Sequence, residues 1–130
     1  MEGRARALAN YPHARQVGNQ IYISGISSRN FDDTVEGCTE VDGEYVLDIA
    51  VQTRAVIKNI EAILANCGCT LDDLVDLTVF LVNMKDYKKF NDVYNEFFDA
   101  ATGPARTTIG VRELPSPKLL IEIKSLAVKK

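Results

Sequence analysis

Between Asp48 and Gly68 the apolar residues recur at helical spacing, and on both sides of that stretch the pattern is that of a strand. Ile49, Val56, Ile60, Ile63 and Cys67 make one stripe, widened by Ala50, Ile57 and Leu64. Asp48 has the chemistry of an N-cap and Gly68 that of a C-terminal stop. Upstream, Gln20–Gly25 reads QIYISG and follows Gly18-Asn19, so a short strand Ala14–Val17 is expected to turn back into a second one. Downstream, Thr70-Leu71-Asp72-Asp73 can hold a single helical turn by a capping-box arrangement. Leu74–Val82 (LVDLTVFLV) is apolar and β-branched, as a strand mostly buried on both faces would be.

Asp86 can cap a second helix, whose stripe is Tyr87, Phe90, Val93 or Tyr94, Phe97 and Ala101, ending at Gly103-Pro104. The aromatic residues of this stripe, with Phe98, are expected in the core. Two strands follow, Arg106–Val111 and Leu119–Val128, separated by the turn Pro115-Ser116-Pro117. The segment Ile26–Tyr45 is polar and reads as a long loop containing a tight turn at Val41-Asp42-Gly43-Glu44. The order is β-β-α-β-α-β-β, an α+β fold with two helices on one face of a single sheet. At 130 residues this is one domain, 1–130, with 1–10 as an N-terminal extension.

The residue counts restrict the chemistry. One histidine, His13, and three cysteines, Cys38, Cys67 and Cys69, are poor material for a triad or a tetrahedral metal site, so neither chemistry is expected. Cys67-x-Cys69 lacks the spacing of redox or zinc motifs and reads as ordinary thiols. Fifteen Lys and Arg against eighteen Asp and Glu give a net charge of −3, which argues against a nucleic-acid partner. No apolar run is long enough to span a bilayer or to serve as a secretory signal, so no membrane partner is expected. The expected location is cytoplasmic, with a mitochondrial leader at Arg4, Arg6 and Arg15 as a minor alternative.

Two charged residues stand out. Glu122 interrupts the apolar strand LLIEIKSLAV, where an ionised carboxylate is costly unless it is paired or reaches water. Alternation puts Leu120, Glu122, Lys124 and Leu126 on one mixed face. Arg106 opens a strand after Gly103-Pro104-Ala105, where a guanidinium can grip a carboxylate in bidentate fashion or simply form a surface ion pair. Ser24-Gly25 ends a strand, so its backbone could approach a ligand closely. Arg29 follows in the polar loop.

Taken together these segments resemble the Rid family, the reactive intermediate deaminases or YjgF-like proteins, from about Tyr11 to Val128. The motif that carries the resemblance is Gly103-Pro104-Ala105-Arg106-Thr107-Thr108, followed by Leu114-Pro115 and Ile121-Glu122-Ile123. Gly18-Asn19 before Ile21-Tyr22-Ile23-Ser24-Gly25, and Phe90-Asn91 leading to Tyr94-x-Glu96-Phe97-Phe98, support it. The resemblance implies a fold like the trimeric type of chorismate mutase. It implies a homotrimeric barrel with clefts between subunits, and a dimer of trimers as a further option. It also implies hydrolysis of enamines and imines to oxo acids and ammonia without metal or cofactor. Residue by residue, it implies that Arg106 binds the carboxylate of a small-molecule substrate and that Glu122 orients the attacking water. Tyr11 would line the cleft, Gly25, Ser24 and Thr108 would contact the ligand, and Asn91 would lie close by.

The sequence departs from the wider family at Ser24-Gly25-Ile26-Ser27-Ser28-Arg29-Asn30, at Thr108 in place of a usual cysteine, and at Lys124 in place of a second glutamate. With Tyr11-Pro12-His13-Ala14-Arg15, these features are similar to the 2-aminomuconate deaminase branch. That substrate carries a second carboxylate, for which Arg29 is the first expected partner, with Arg15 and His13 as runners-up. The alternatives are a generic 2-aminoacrylate (2-iminopropanoate) deaminase and a non-catalytic binder of small carboxylates; a chorismate mutase is a weaker third, by fold alone.

Overall fold

The computed structural model describes residues 11–130; the expected extension 1–10 lies outside the described residues. Strands β1 (Ala14–Val17), β2 (Gln20–Ile26), β5 (Leu74–Leu81), β6 (Ala105–Gly110) and β7 (Ile121–Val128) form one five-stranded sheet, in the order β1-β2-β7-β5-β6. Strands β3 (Cys38–Val41) and β4 (Glu44–Leu47) make a separate two-stranded hairpin. The helices are α1 (Ile49–Asn66) and α2 (Tyr87–Tyr94).

The long helix forms where the periodicity places it. The Asp48 side chain accepts from Val51 N–H at 3.1 Å. At the other end Gly68 N–H donates to Ala65 O and Cys69 N–H to Leu64 O, the paired bonds of a Schellman motif. Ile49, Val56, Ile57, Ile60, Ile63 and Leu64 are all buried against the sheet. Thr70 and Asp73 close a capping box around the 3-10 turn Leu71–Asp73.

Several expectations are corrected. The polar stretch 26–45 is not all loop, because its tight turn carries strands: Asp42 and Gly43 both have positive φ, 51° and 79°, which matches the hairpin twist and pairs Val41 with Glu44. The main sheet is therefore accompanied by a second, small one. The second helix is also shorter than its stripe suggests. It ends at Tyr94, and Phe97, Phe98 and Ala101 lie in the turns that follow. Its expected cap, Asp86, makes no side-chain capping bond; Asn83 caps the preceding 3-10 turn instead.

Strands β5 and β6 are parallel, so the chain must cross over between them, and α2 is that crossover. Strands β2 and β5 both run antiparallel to β7, which lies between them, and α1 crosses from one to the other. Both helices cover the same face. On β7, Ile121, Ile123, Ser125 and Ala127 point into that covered face and are buried, while Glu122, Lys124 and Leu126 point to the other face. Tyr22, Asp76, Thr78, Phe80 and Ile109 share that uncovered face by register, and Tyr22 and Ile109 are well exposed.

A buried glutamine joins the segments that enter α1 and β7. Gln52 Nε2 donates to Lys118 O at 2.9 Å and to Gly37 O at 3.3 Å, and Oε1 accepts from Leu120 N–H at 2.8 Å. Leucine would leave Lys118 O and Leu120 N–H unpaired, since Gly37 O keeps its bond from Asp48 N–H, at about 1–3 kcal/mol each where water cannot replace the partner. Gln52→Leu is expected to lower unfolding stability by roughly 3 kcal/mol, read as a shift in denaturant midpoint. A loss below about 1 kcal/mol would show that the clamp is not structural.

Candidate active site

Glu122 sits near the middle of the uncovered face, opposite Phe80 on β5. Burial pushes its carboxyl above the ordinary glutamate range. Among the described residues nothing donates a hydrogen bond to it. The carboxylate closes over the backbone of Gly25, where any Cβ would collide with it. This close approach is made by a bulge: Ile23 pairs with Ser125 but Ile26 with Ile123, so β2 carries one extra residue at Ser24-Gly25. The bulge keeps Ile23 and Ile26 both in the core and turns the intervening backbone toward β7. Ser24 N–H donates to His13 O at 2.9 Å and its Oγ donates to Pro12 O at 2.8 Å, which ties Pro12-His13 alongside. Tyr11, next in the chain, is exposed. Three expected site residues, Ser24, Gly25 and Glu122, therefore form one cluster.

Arg106 belongs to the opposite face. It pairs in register with Leu77, a core residue, and its side chain runs under α2. The guanidinium carbon lies 4.6 Å from the Tyr94 ring centroid, 5.0 Å from Phe90 and 5.8 Å from Tyr87. Nη2 donates to the Tyr87 hydroxyl at 3.1 Å. Each ring attracts the cation through its negative π-face. Among the described residues no carboxylate pairs with Arg106. Its charge raises no partner but affects a neighbour: burial pushes the Tyr94 phenol up, and the Arg106 charge opposes that shift. Thr108, two residues along the same strand face, has a buried hydroxyl without a hydrogen-bond partner. Asn91 lies on α2, four residues after Tyr87 and three before Tyr94. Arg106 and Thr108 form the second cluster, and Asn91 shares the α2 face of Tyr87 and Tyr94 by helical spacing.

The expected site is thus two half-sites on two faces of one sheet, and a single chain does not bring Arg106 to Glu122. Arg29 Nη1 lies 2.6 Å from Asp33 Oδ1 in the same loop. Tyr87 and Tyr94 are the partners that sequence reasoning missed. Tyr87 is not core, being 39% exposed, and its place beside Arg106 follows from the turn of α2 and the register of β6 together. Among the described residues no cluster of three or more His, Cys, Asp or Glu is arranged to hold a metal, the cysteines are free, and no helix is long and apolar enough to cross a membrane.

The sequence pattern of a protein family described as Endoribonuclease L-PSP matches residues 1–129. A RutC family protein of Pyrococcus abyssi is 37% identical over 129 residues, covering 98% of this chain and 93% of that one. The chain belongs to the Rid family. A Rid-family relative in Escherichia coli, TdcF, whose name places it among the reactive intermediate deaminases, is 30% identical over 125 residues, 95% of this chain and 89% of its own. Among solved Rid structures, one from Yersinia pestis superposes with a TM-score of 0.83 at 34% identity, covering 98% of this chain and 94% of that one. Escherichia coli TdcF with bound serine superposes with a TM-score of 0.81 at 26% identity, over 100% and 96% of the two chains. The two helices packed on a mixed sheet are the fold these Rid proteins share.

The raised pKa of Glu122 has a sign that can be checked. The folded protein holds this proton to higher pH than the unfolded chain does. The stability this contributes is complete below the ordinary glutamate value of about 4.3 and is lost as pH rises through the folded-state pKa. Above that window an ionised, partly buried Glu122 costs stability. Glu122→Gln is therefore expected to raise Tm at about pH 7–8, with the difference closing by about pH 4. A variant less stable than the parent at neutral pH would mean that the carboxylate has a partner that offsets its burial.

Proposed function

We propose that this protein hydrolyses 2-imino and 2-enamino carboxylic acids to the 2-oxo acid and ammonia, in a site assembled from more than one copy of the chain. The observation that carries the reading is Arg106: a half-buried cation, stacked on three aromatic rings, with no carboxylate partner among the described residues. Such a guanidinium keeps donors for a planar anion. Family membership and the name of the relative TdcF supply the reaction class.

The chemistry needs little equipment. An enamine first takes a proton from solvent on carbon and becomes the protonated imine. Arg106 grips the carboxylate and holds the imine carbon toward a water. Glu122 accepts a proton from that water as its oxygen bonds to carbon, and the C=N electron pair moves onto nitrogen, leaving a neutral amino group. The proton on Glu122 then passes to that nitrogen, the hydroxyl gives its proton back to the Glu122 carboxylate as the C=O forms, the C–N bond breaks, and ammonia leaves. One water is consumed and no redox step occurs. A glutamate held above its usual range is better matched to proton transfer near neutrality.

Since Arg106 and Glu122 lie on opposite faces of one chain, the reading requires Glu122 of one copy to meet Arg106 of another. A homotrimer with the uncovered faces turned inward is the assembly we propose, with pairing of trimers as an extension. The endoribonuclease description of the family is the competing class. RNA binding relies on phosphate neutralisation, and a net charge of −3 gives it weak support.

The finer form of the reading is 2-aminomuconate as substrate, supported by the likeness at 11–15 and 24–30. Arg29 would meet its second carboxylate, which would have to displace Asp33. Arg29→Ala is expected to raise KM for the dicarboxylate and to leave a monocarboxylate imine unaffected. Equal effects on both would remove Arg29 from this role and favour the generic 2-iminopropanoate substrate.

Ammonia release from freshly generated imines tests the main reading. Arg106→Ala is expected to lose on the order of 2–5 kcal/mol in kcat/KM, the scale of breaking a desolvated charge pair. Glu122→Gln is expected to be nearly inactive. Co-assembling the two variants should restore activity, because some clefts then receive Arg106 and Glu122 from different copies. An active Arg106→Ala protein, or no recovery on mixing, would overturn the assembled site. A parent protein that binds carboxylates but releases no ammonia would be a non-catalytic binder.

A further inference from the structure

The Tyr87 hydroxyl has one proton that the structure leaves unspent. Arginine is a donor only, so in the 3.1 Å contact Arg106 Nη2 donates and the phenol oxygen accepts. The phenol O–H is then available to donate elsewhere, and among the described residues no acceptor takes it. Tyr87 sits at the first position of α2, at the open end of the aromatic row, and is 39% exposed. Phe90 and Tyr94, one and two turns further along, are buried beneath the same guanidinium. The rings therefore differ in what they can do. Phe90 and Tyr94 hold the π-face of Arg106. Tyr87 alone fixes the cation in plane and still presents a donor to solvent.

We propose that Tyr87 is a second carboxylate-binding residue: its O–H and the in-plane N–H groups of Arg106 together form the anion site. The inference rests on the reading of Arg106 as the carboxylate anchor. An oxygen bound beside Nη2 lies next to the phenol, so one carboxylate oxygen can accept from Arg106 and also from Tyr87. Donation from Arg106 draws electron density from the phenol oxygen and makes its O–H a better donor. The pair recognises a planar anion with two oxygens. A neutral amide in the same place gains far less from it, because hydrogen bonds to charged groups are about twice as strong as neutral ones. Tyr87 would thus set selectivity for acids over their amides, while the hydration step stays with Glu122.

Tyr87→Phe keeps the ring and removes only the O–H. Binding of a 2-oxo acid, 2-oxobutanoate, is measured by calorimetry on the parent and the variant, with 2-oxobutanamide as the neutral control. This readout needs no turnover. The expected result is roughly 10-fold weaker binding of the acid, the scale of one hydrogen bond to a charged group, with the amide unchanged. In turnover, KM for the anionic imine should rise with kcat nearly constant. Equal affinity of parent and variant for the acid would overturn the proposal. Equal weakening of acid and amide would overturn it as well, since that marks a packing role. A parent that binds the acid through Tyr87 but fails to release ammonia would leave this inference standing and sink the deaminase reading alone.

Discussion

Both crossover connections of the main sheet pass over the same face, and most of what the molecule can do follows from that. Joining parallel strands requires a crossover, and the fixed hand of such connections decides which side it takes. With α1 and α2 on one side, neither helix covers the other side. Alternation along β7 then leaves Glu122 on the uncovered face between buried Ile121 and Ile123. The same alternation along β6 sends Arg106 under α2. Arg106 and Glu122 are separated by the thickness of a sheet because successive side chains point to opposite sides.

Each half-site is built from backbone geometry before any side chain matters. On the uncovered side a single inserted residue in β2 bares the Gly25 backbone, and the Glu122 carboxylate lies over it. On the covered side the aromatic row of α2, spaced by the turn of the helix, supplies a bed for one guanidinium. The two beds raise the energies of opposite charges in different ways. Burial raises the pKa of Glu122, whereas the Arg106 guanidinium is offered electron-rich rings in place of a counter-ion.

The long helix, its cap and its stop were legible in the sequence because they are local: Asp48, a periodic stripe and Gly68 suffice. So were most strand positions and the mixed face of Glu122. The hairpin β3–β4 was not, because Thr39, Glu40, Asp42 and Glu44 make its strands look like loop, and the pairing shows only once the turn at Asp42-Gly43 is formed. The faces of Arg106 and Glu122 relative to each other were also out of reach. They depend on the registers of β6 on β5 and of β5 on β7, contacts between distant segments that no short-range pattern encodes. Tyr87 looked like core for a related reason: helical spacing says which residues share a stripe, not which end of it stays open to solvent.

The place of β7 has a consequence for how the chain comes into being. The last strand in sequence is the middle strand of the sheet, bonded to β2 on one side and β5 on the other. Until it emerges from the ribosome, β1-β2 and β5-β6 have no common neighbour, and the apolar sides of α1 and α2 have no complete surface to rest on. Nascent chains ending anywhere before β7 therefore expose strand edges and the helices' apolar faces together. Synthesis at about 5–20 residues per second sets how long that exposure lasts.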